Sequence, residues 1–199
     1  MTPPPPLCRL RRDRLADCGA LVRAIDGGAP RLATRLALLD DGERLHVRFE
    51  CEAPAPWATH RQRDAPLWEE EVVEVFVAPG EPTPRRYFEL ELNPLGAVFD
   101  AAVDNPHGDR REMRVDSGWD CPQLETRCEI DAARGLWRAE LALPWRALGD
   151  AREKRWRLNA FRIERPRGGE PEFCAWSPTF ARPADFHRPA RFGFVTRIE

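Results

Sequence analysis

Residues 86–93, RYFELELN, alternate strictly: Phe88, Leu90 and Leu92 fall on one side, and Tyr87, Glu89, Glu91 and Asn93 on the other. A period of two is the signature of a β-strand with one apolar and one polar face. Residues 71–78 behave differently. Val73, Val75 and Val77 share one face with Glu71 at the strand's end, while Val72, Glu74 and Phe76 share the other, so both faces carry apolar side chains. Residues 32–39 and 44–52 flank Asp40-Asp41-Gly42-Glu43, which is hairpin chemistry. Asn93-Pro94-Leu95-Gly96 turns the chain into a strand at 97–103. Further strands are predicted at 125–130, 136–143, 155–164 and 192–198, with a turn at 132–135. Pro144-Trp145-Arg146-Ala147-Leu148 predicts one helical turn with proline in its first position.

Nine to eleven short strands punctuated by turns, with almost no helical periodicity, predict an all-β antiparallel sandwich. The proline-rich start, residues 1–18, reads as an extension, leaving 19–199 as a single sandwich domain, with an edge strand near 20–25. Two long irregular stretches, 104–122 and 165–191, are expected at the rim or over one face. Loops of that length in a compact domain are commonly functional.

Charge narrows the function classes. Acids and bases nearly cancel, to a net of −2, which argues against nucleic acid or an anionic membrane surface as partner. Lys154 is the sole lysine, and the bias to Arg, Ala and Pro reads as the codon usage of a GC-rich, bacterial genome. No stretch is apolar enough for a membrane helix or a signal peptide, so the sequence places the chain in the cytoplasm, or outside it if a leader has been trimmed. The six cysteines are scattered and read as free thiols; Cys8–Cys18 and Cys121–Cys128 are the pairings to consider in an exported protein.

No nucleophile elbow, phosphate loop, dinucleotide fingerprint or zinc spacing is present. His46, His60, His107 and His187 follow no motif and read as structural, and Met113 with a histidine is the only pairing that would suit haem. Glu69, Glu70, Glu71 and Glu74, with Glu89 and Glu91, could supply the two carboxylates of a glycosidase, but no spacing in the sequence sets their separation. Trp137 and Trp156 fall on apolar strand phases and belong to the core. Trp68 (APLWEEE) and Trp176 (CAWSPTF) sit in polar loops. Each ring either closes the end of the core or offers a flat face to a sugar, whose hydroxyls nearby carboxylates and amides would take.

Taken in order, LWEEEVVEVFVAPG, YFELELNPLGAVFDA, RAELALPWRALG, RWRLNAFRIER and WSPTFARPADFHRPARFGFV resemble the family 9 carbohydrate-binding modules over roughly residues 35–198. The resemblance implies a DOMON-like β-sandwich, binding of a mono- or oligosaccharide without catalysis, and structural calcium. It implies that the terminal sugar of a glucan or xylan fragment is held between Trp68 and Trp176. Glu74 would bond its hydroxyls, with Asn159 and Arg162 as further polar contacts. Strand parity adds Glu89, Glu91 and Asn93 to that groove, while Glu69, Glu70 and Glu71 read as a solvated strand entrance with room for one of them to face the slot. Asp100, Asp104, Asn105 and Asp109 are the calcium candidates, though their spacing is not that of a calcium loop. Two other readings stand beside this one: an interaction or structural sandwich that binds no sugar, and a haem-binding domain of the DOMON type.

Overall fold

A computed structural model describes residues 2–80 and 82–198. Among these residues fourteen strands form two sheets. The strands are Leu7–Arg11 (β1), Ala16–Ala20 (β2), Val22–Arg23 (β3), Thr34–Asp40 (β4), Arg44–Glu52 (β5), Val72–Pro79 (β6) and Arg86–Leu92 (β7). They continue with Val98–Asp104 (β8), Arg114–Asp116 (β9), Glu125–Asp131 (β10), Leu136–Pro144 (β11), Arg155–Glu164 (β12), Glu172–Ala175 (β13) and Gly193–Ile198 (β14). The large sheet runs β1-β14-β12-β6-β7-β8-β9, with β13 beside β12 and β3 beside β13; the small sheet runs β10-β11-β5-β4-β2. The strand count exceeds the nine to eleven expected because several strands, such as β3 and β9, are only two or three residues long.

The two sheets face each other across one apolar layer. Val73, Val75, Val77, Leu90 and Leu92 from the large sheet meet Leu36, Leu38, Val47, Phe49, Trp137 and Leu141 from the small one. The small sheet is apolar on that side only, as the alternating burial along β5 records. The large sheet is buried on both sides. On its outer face Val72, Phe76, Tyr87, Phe99 and Phe161 form a second cluster, covered by Phe186 and Phe192 from the long 176–192 segment. This is why β6 reads as a nearly continuous run of valines: a strand with no wet face has no reason to alternate. Trp137 and Trp156 are core, as predicted.

Two expectations change. Leu7–Arg11 is not an extension: it pairs in parallel with β14, Leu7 opposite Phe194, and Leu10 is fully buried. β2 then joins the small sheet, so the segment assigned to a tail contributes an edge strand to each layer. Cys8 and Cys18, one on each of these strands, lie with their sulfurs 3.1 Å apart, and all six thiols are free. The helical turn is present as Trp145–Leu148, but Pro144 is its cap rather than its first residue. Trp145 is fully buried, and its indole N–H donates to Asp40 Oδ1 at 2.9 Å.

Candidate functional site

Antiparallel register lines up the outer face of the large sheet. Across four strands, Phe161 on β12 pairs with Glu74 on β6, Glu74 with Glu91 on β7, and Glu91 with Phe99 on β8. Glu89 lies one pleat along from Glu91, facing the same way. Two carboxylates flanked by two phenylalanines therefore sit side by side, with a third next to them. All three are nearly inaccessible, at 3 % for Glu74, 5 % for Glu89 and 1 % for Glu91.

These carboxyl groups floor a cleft of about 510 Å³, a size typical of small-ligand sites. Trp68 and Phe99 form part of its wall, and both long irregular stretches fold over it: Arg110 and Met113 from the first, Phe186 and His187 from the second. Trp68 belongs to a short 3-10 turn, Leu67–Glu69, whose Leu67 is fully buried and anchors it. The indole stays 43 % exposed and meets the Phe99 ring edge-on, with centroids 5.2 Å apart. A half-exposed indole that lines the cleft offers ring surface on which a ligand could stack.

Burial dominates the electrostatics. It pushes Glu74 and Glu91 well above the usual carboxylate range, with their mutual repulsion and that of Glu89 adding to it. Glu89 is raised to about 7, burial again leading, opposed by Arg110 and by a hydrogen bond with Glu91 that leaves the proton on Glu91. Arg110 itself donates from Nε to Asp185 at 2.6 Å. Burial raises Asp185, but Arg110 and the His187 N–H outweigh it and hold the carboxylate low. Burial and the Arg110 charge depress His187 to about 3, so the ring is neutral; its Nδ1 lies 2.7 Å from the Tyr87 hydroxyl. The same hydroxyl lies 4.0 Å from the Met113 sulfur.

The other residues singled out in the sequence are elsewhere. Trp176 is on the opposite side of the large sheet, in the layer between the sheets and 7 % exposed. Its indole N–H donates to the Cys18 carbonyl at 3.0 Å, and a Cβ at Gly193 would overlap its ring. The expected slot between two tryptophans is therefore absent; the cleft's other aromatic side chains are phenylalanines. Arg162 also faces the inter-sheet layer, where it bonds Glu71 at 2.6 Å and the Thr34 hydroxyl at 3.0 Å. Asn159 faces outward but is saturated: its amide donates to the Ser177 carbonyl, and its oxygen accepts from the Ser177 and Ala160 N–H groups. Asn93 ties the β7–β8 turn, accepting from the N–H groups of Leu95 and Ala97 and donating to the His60 carbonyl. Of the three glutamates at the strand entrance only Glu69 is solvated. Glu70 is bonded by the Thr59 and His60 N–H groups and the Thr59 hydroxyl, and Glu71 by Arg162.

The calcium candidates do not converge. Asp100 is gripped on both oxygens by Arg63 at 2.6 Å and accepts the Cys121 N–H; Asp109 pairs with Arg111; Asp104 ends β8 opposite Arg114. Among the described residues, the acid clusters close enough to share an ion are Asp64–Asp100–Asp120, which Arg63 already bridges, and Glu74–Glu89–Glu91. A second concavity on the outer face of the small sheet is lined by cross-strand ion pairs, Arg138–Glu50 at 2.9 Å and Arg48–Glu140 at 3.2 Å, which leave little charge for a ligand.

The sequence pattern of carbohydrate-binding family 9 matches residues 24–197. The chain belongs to that family. Solved structures agree with the family fold. A protein of Bacteroides uniformis provisionally described as carbohydrate-binding is similar over 93 % of this chain and 86 % of its own, at a TM-score of 0.71 and 17 % identity. A family 9 module from Caldicellulosiruptor kristjanssonii, solved in complex with cellotriose, covers 96 % of this chain and 93 % of its own, at 0.62 and 11 %. The same organism's module in complex with glucose covers 96 % and 95 %, at 0.64 and 11 %. An extracellular protein of Arthroderma benhamiae is 23 % identical over 163 residues, 77 % of this chain and 73 % of its own length. Within the family fold, the cleft residues Phe99 and Phe186 escape sequence reasoning, and nothing in the sequence placed Met113 or Arg110 at this cleft. Phe99 was reachable in principle by carrying the parity of β7 around the Asn93–Gly96 turn; the others lie in loops that have no parity.

Proposed function

We propose that this family 9 chain binds the terminal sugar of a glucan or xylan fragment in the cleft, without transforming it. One observation carries the reading: the half-exposed Trp68 and the buried carboxyls of Glu74 and Glu91 line the same cavity. A sugar ring stacked on Trp68 would turn its hydroxyls toward groups that, when protonated, both donate and accept hydrogen bonds. Glucose and cellotriose in relatives of the same fold support a glucose-configured ligand. Trp68 alone supplies the indole, and Phe99, Phe173 and Phe186 supply the remaining aromatic surface. The carboxyls lie side by side on adjacent strands rather than on opposite walls, an arrangement that does not straddle a glycosidic bond as a hydrolase needs. The Met113–His187 pair does line the cleft, but the Tyr87 hydroxyl engages His187 Nδ1, and three acids share the floor, which disfavours haem.

The test is calorimetric titration with glucose, cellobiose, xylose and xylobiose. Saturable heat that disappears in a Trp68→Ala protein still melting cooperatively supports the assignment. Silence across the panel, or unchanged binding in Trp68→Ala, overturns it in favour of a sandwich with a non-saccharide partner.

A further inference from the structure

Most buried carboxylates in this protein are compensated. Nine are buried among the described residues, and six have partners. Arg197 meets Asp40, Arg162 meets Glu71, Arg63 meets Asp100, Arg31 meets Glu164, Arg110 and Arg188 meet Asp185, and backbone N–H groups with Thr59 meet Glu70. The remaining three are Glu74, Glu89 and Glu91, and they are together. No ion pair holds any of them among the described residues, and their one mutual contact is the Glu89–Glu91 hydrogen bond; the two cations lining the same cleft, Arg110 and Arg165, bond Asp185 and the Trp68 carbonyl instead. Burying carboxyl groups with no compensating cation makes their charged forms among the costliest features a fold can hold, and here three such groups are collected.

A second observation points the same way. Glu91 Oε2 is buried without a hydrogen-bond partner, in a residue only 1 % exposed that faces Glu74 across the β6–β7 pair. One oxygen from each of the three carboxyls lies within 4.8 Å of the others. Atoms so placed share a centre no more than about 2.8 Å from each, so small side-chain rotations reach the roughly 2.3–2.6 Å of a calcium–oxygen bond. The donor set is all oxygen and anionic, which selects a hard cation. Magnesium would need the ligands drawn in to about 2.0–2.1 Å in near-octahedral order, a harder demand on three strand-borne side chains.

We infer that Glu74, Glu89 and Glu91 form a divalent-cation site of calcium class at the floor of the cleft, distinct from the aspartates of the 100–109 loop. Three carboxylates leave coordination positions open toward the cavity, where water or vicinal sugar hydroxyls would complete the shell. Without the ion, protons must balance the cluster, so loading the site displaces them. The inference does not rest on the sugar reading, since the ion is measured in the absence of saccharide.

The experiment is calorimetric titration of chelator-treated full-length protein with calcium chloride in weak buffer near neutral pH, following heat and released protons. One ion per chain, with proton release, is expected. Glu91→Gln, which replaces a carboxyl by an amide of nearly the same shape, should weaken binding at least tenfold, while Asp120→Asn leaves it unchanged. If Glu91→Gln fails to melt cooperatively, Glu89→Gln takes its place with the same expectation. No saturable binding up to about 10 mM, beyond the weakest usual protein calcium sites, overturns the inference, as does binding that survives the glutamine variants or disappears in Asp120→Asn. Calcium uptake without saccharide heat would sink the sugar reading alone; saccharide heat that persists in chelator with no calcium uptake would sink this one alone.

Discussion

Trp68 and Trp176 lie on opposite faces of the large sheet: Trp68 opens onto the outer cleft, and Trp176 is sealed between the two layers. Their substitutions should therefore separate cleanly. Trp68→Ala is expected to abolish saccharide heat while the melting temperature moves by only a few degrees. Trp176→Ala removes a buried indole and its bond to the Cys18 carbonyl, and should cost about 3–5 kcal/mol of stability. Urea unfolding beside calorimetry checks both. Equal stability losses in the two variants would mean that Trp68, too, is a core residue.

Arg162 and Glu71 form an ion pair that is 1 % and 4 % exposed, inside the apolar layer. Arg162→Met leaves Glu71 charged and alone there, and should cost about 3–5 kcal/mol. Adding Glu71→Leu should restore a good part of that loss, because the pair owes much of its apparent worth to the penalty of breaking it. A double variant no more stable than Arg162→Met would show that the pair positions the strands as well as neutralising charge.

His187 supplies a pH dependence with a definite sign. Tyr87, Phe76, Arg110 and Asp185 surround it, and burial with the Arg110 charge lowers it from 6.5 to about 3. The folded state holds it neutral, whereas the unfolded chain takes up a proton below pH 6.5. Stability from this residue is therefore present above about pH 6.5 and declines as pH falls toward 3, by about 1.4 kcal/mol per unit. At pH 5 the loss should reach about 2 kcal/mol. Chemical denaturation of wild type and His187→Gln from pH 7 to 5 isolates it: the difference between the proteins should shrink as pH falls. A difference independent of pH would place a charged histidine in the fold.

The N-terminal strand offers a test of where the folded unit starts. Leu10 is fully buried against the inter-sheet core, so Leu10→Ala should cost about 2–5 kcal/mol. Exposed Leu7, three residues away at 53 %, should tolerate alanine within about 0.5 kcal/mol. Similar small effects at both positions would return the segment to the status of a tail.

What the sequence made legible follows from periodicity. The two-residue repeat of β6 and β7 places Glu71 with Val73 on one side and Glu74 with Glu89 and Glu91 on the other, and the structure keeps that division. Arg162 has the same parity information, but β12 is buried along almost its whole length, so no wet face marks which side is out. Trp176 follows a strand in a loop, where nothing in the sequence fixes the direction of a side chain. Phe186 and Arg110 reach the cleft by the same irregular route. Leu7–Arg11 is hidden for another reason: five residues between prolines and arginines carry little pattern, and the partner strand begins at Gly193.

That last pairing bears on how the chain reaches its folded state. Strand β1 is made first but rests beside β14, the last to be made. Closing so long a loop is entropically costly, and contacts of this kind slow folding. During synthesis β1 can meet β2 and β4 early, as the Cys8–Cys18 contact records, but its strand partner β14 is complete only when residues 193–198 have emerged, so the N-terminal edge is among the final pieces to lock. Until then the free edge of β14 stays open to a strand from another copy of the chain.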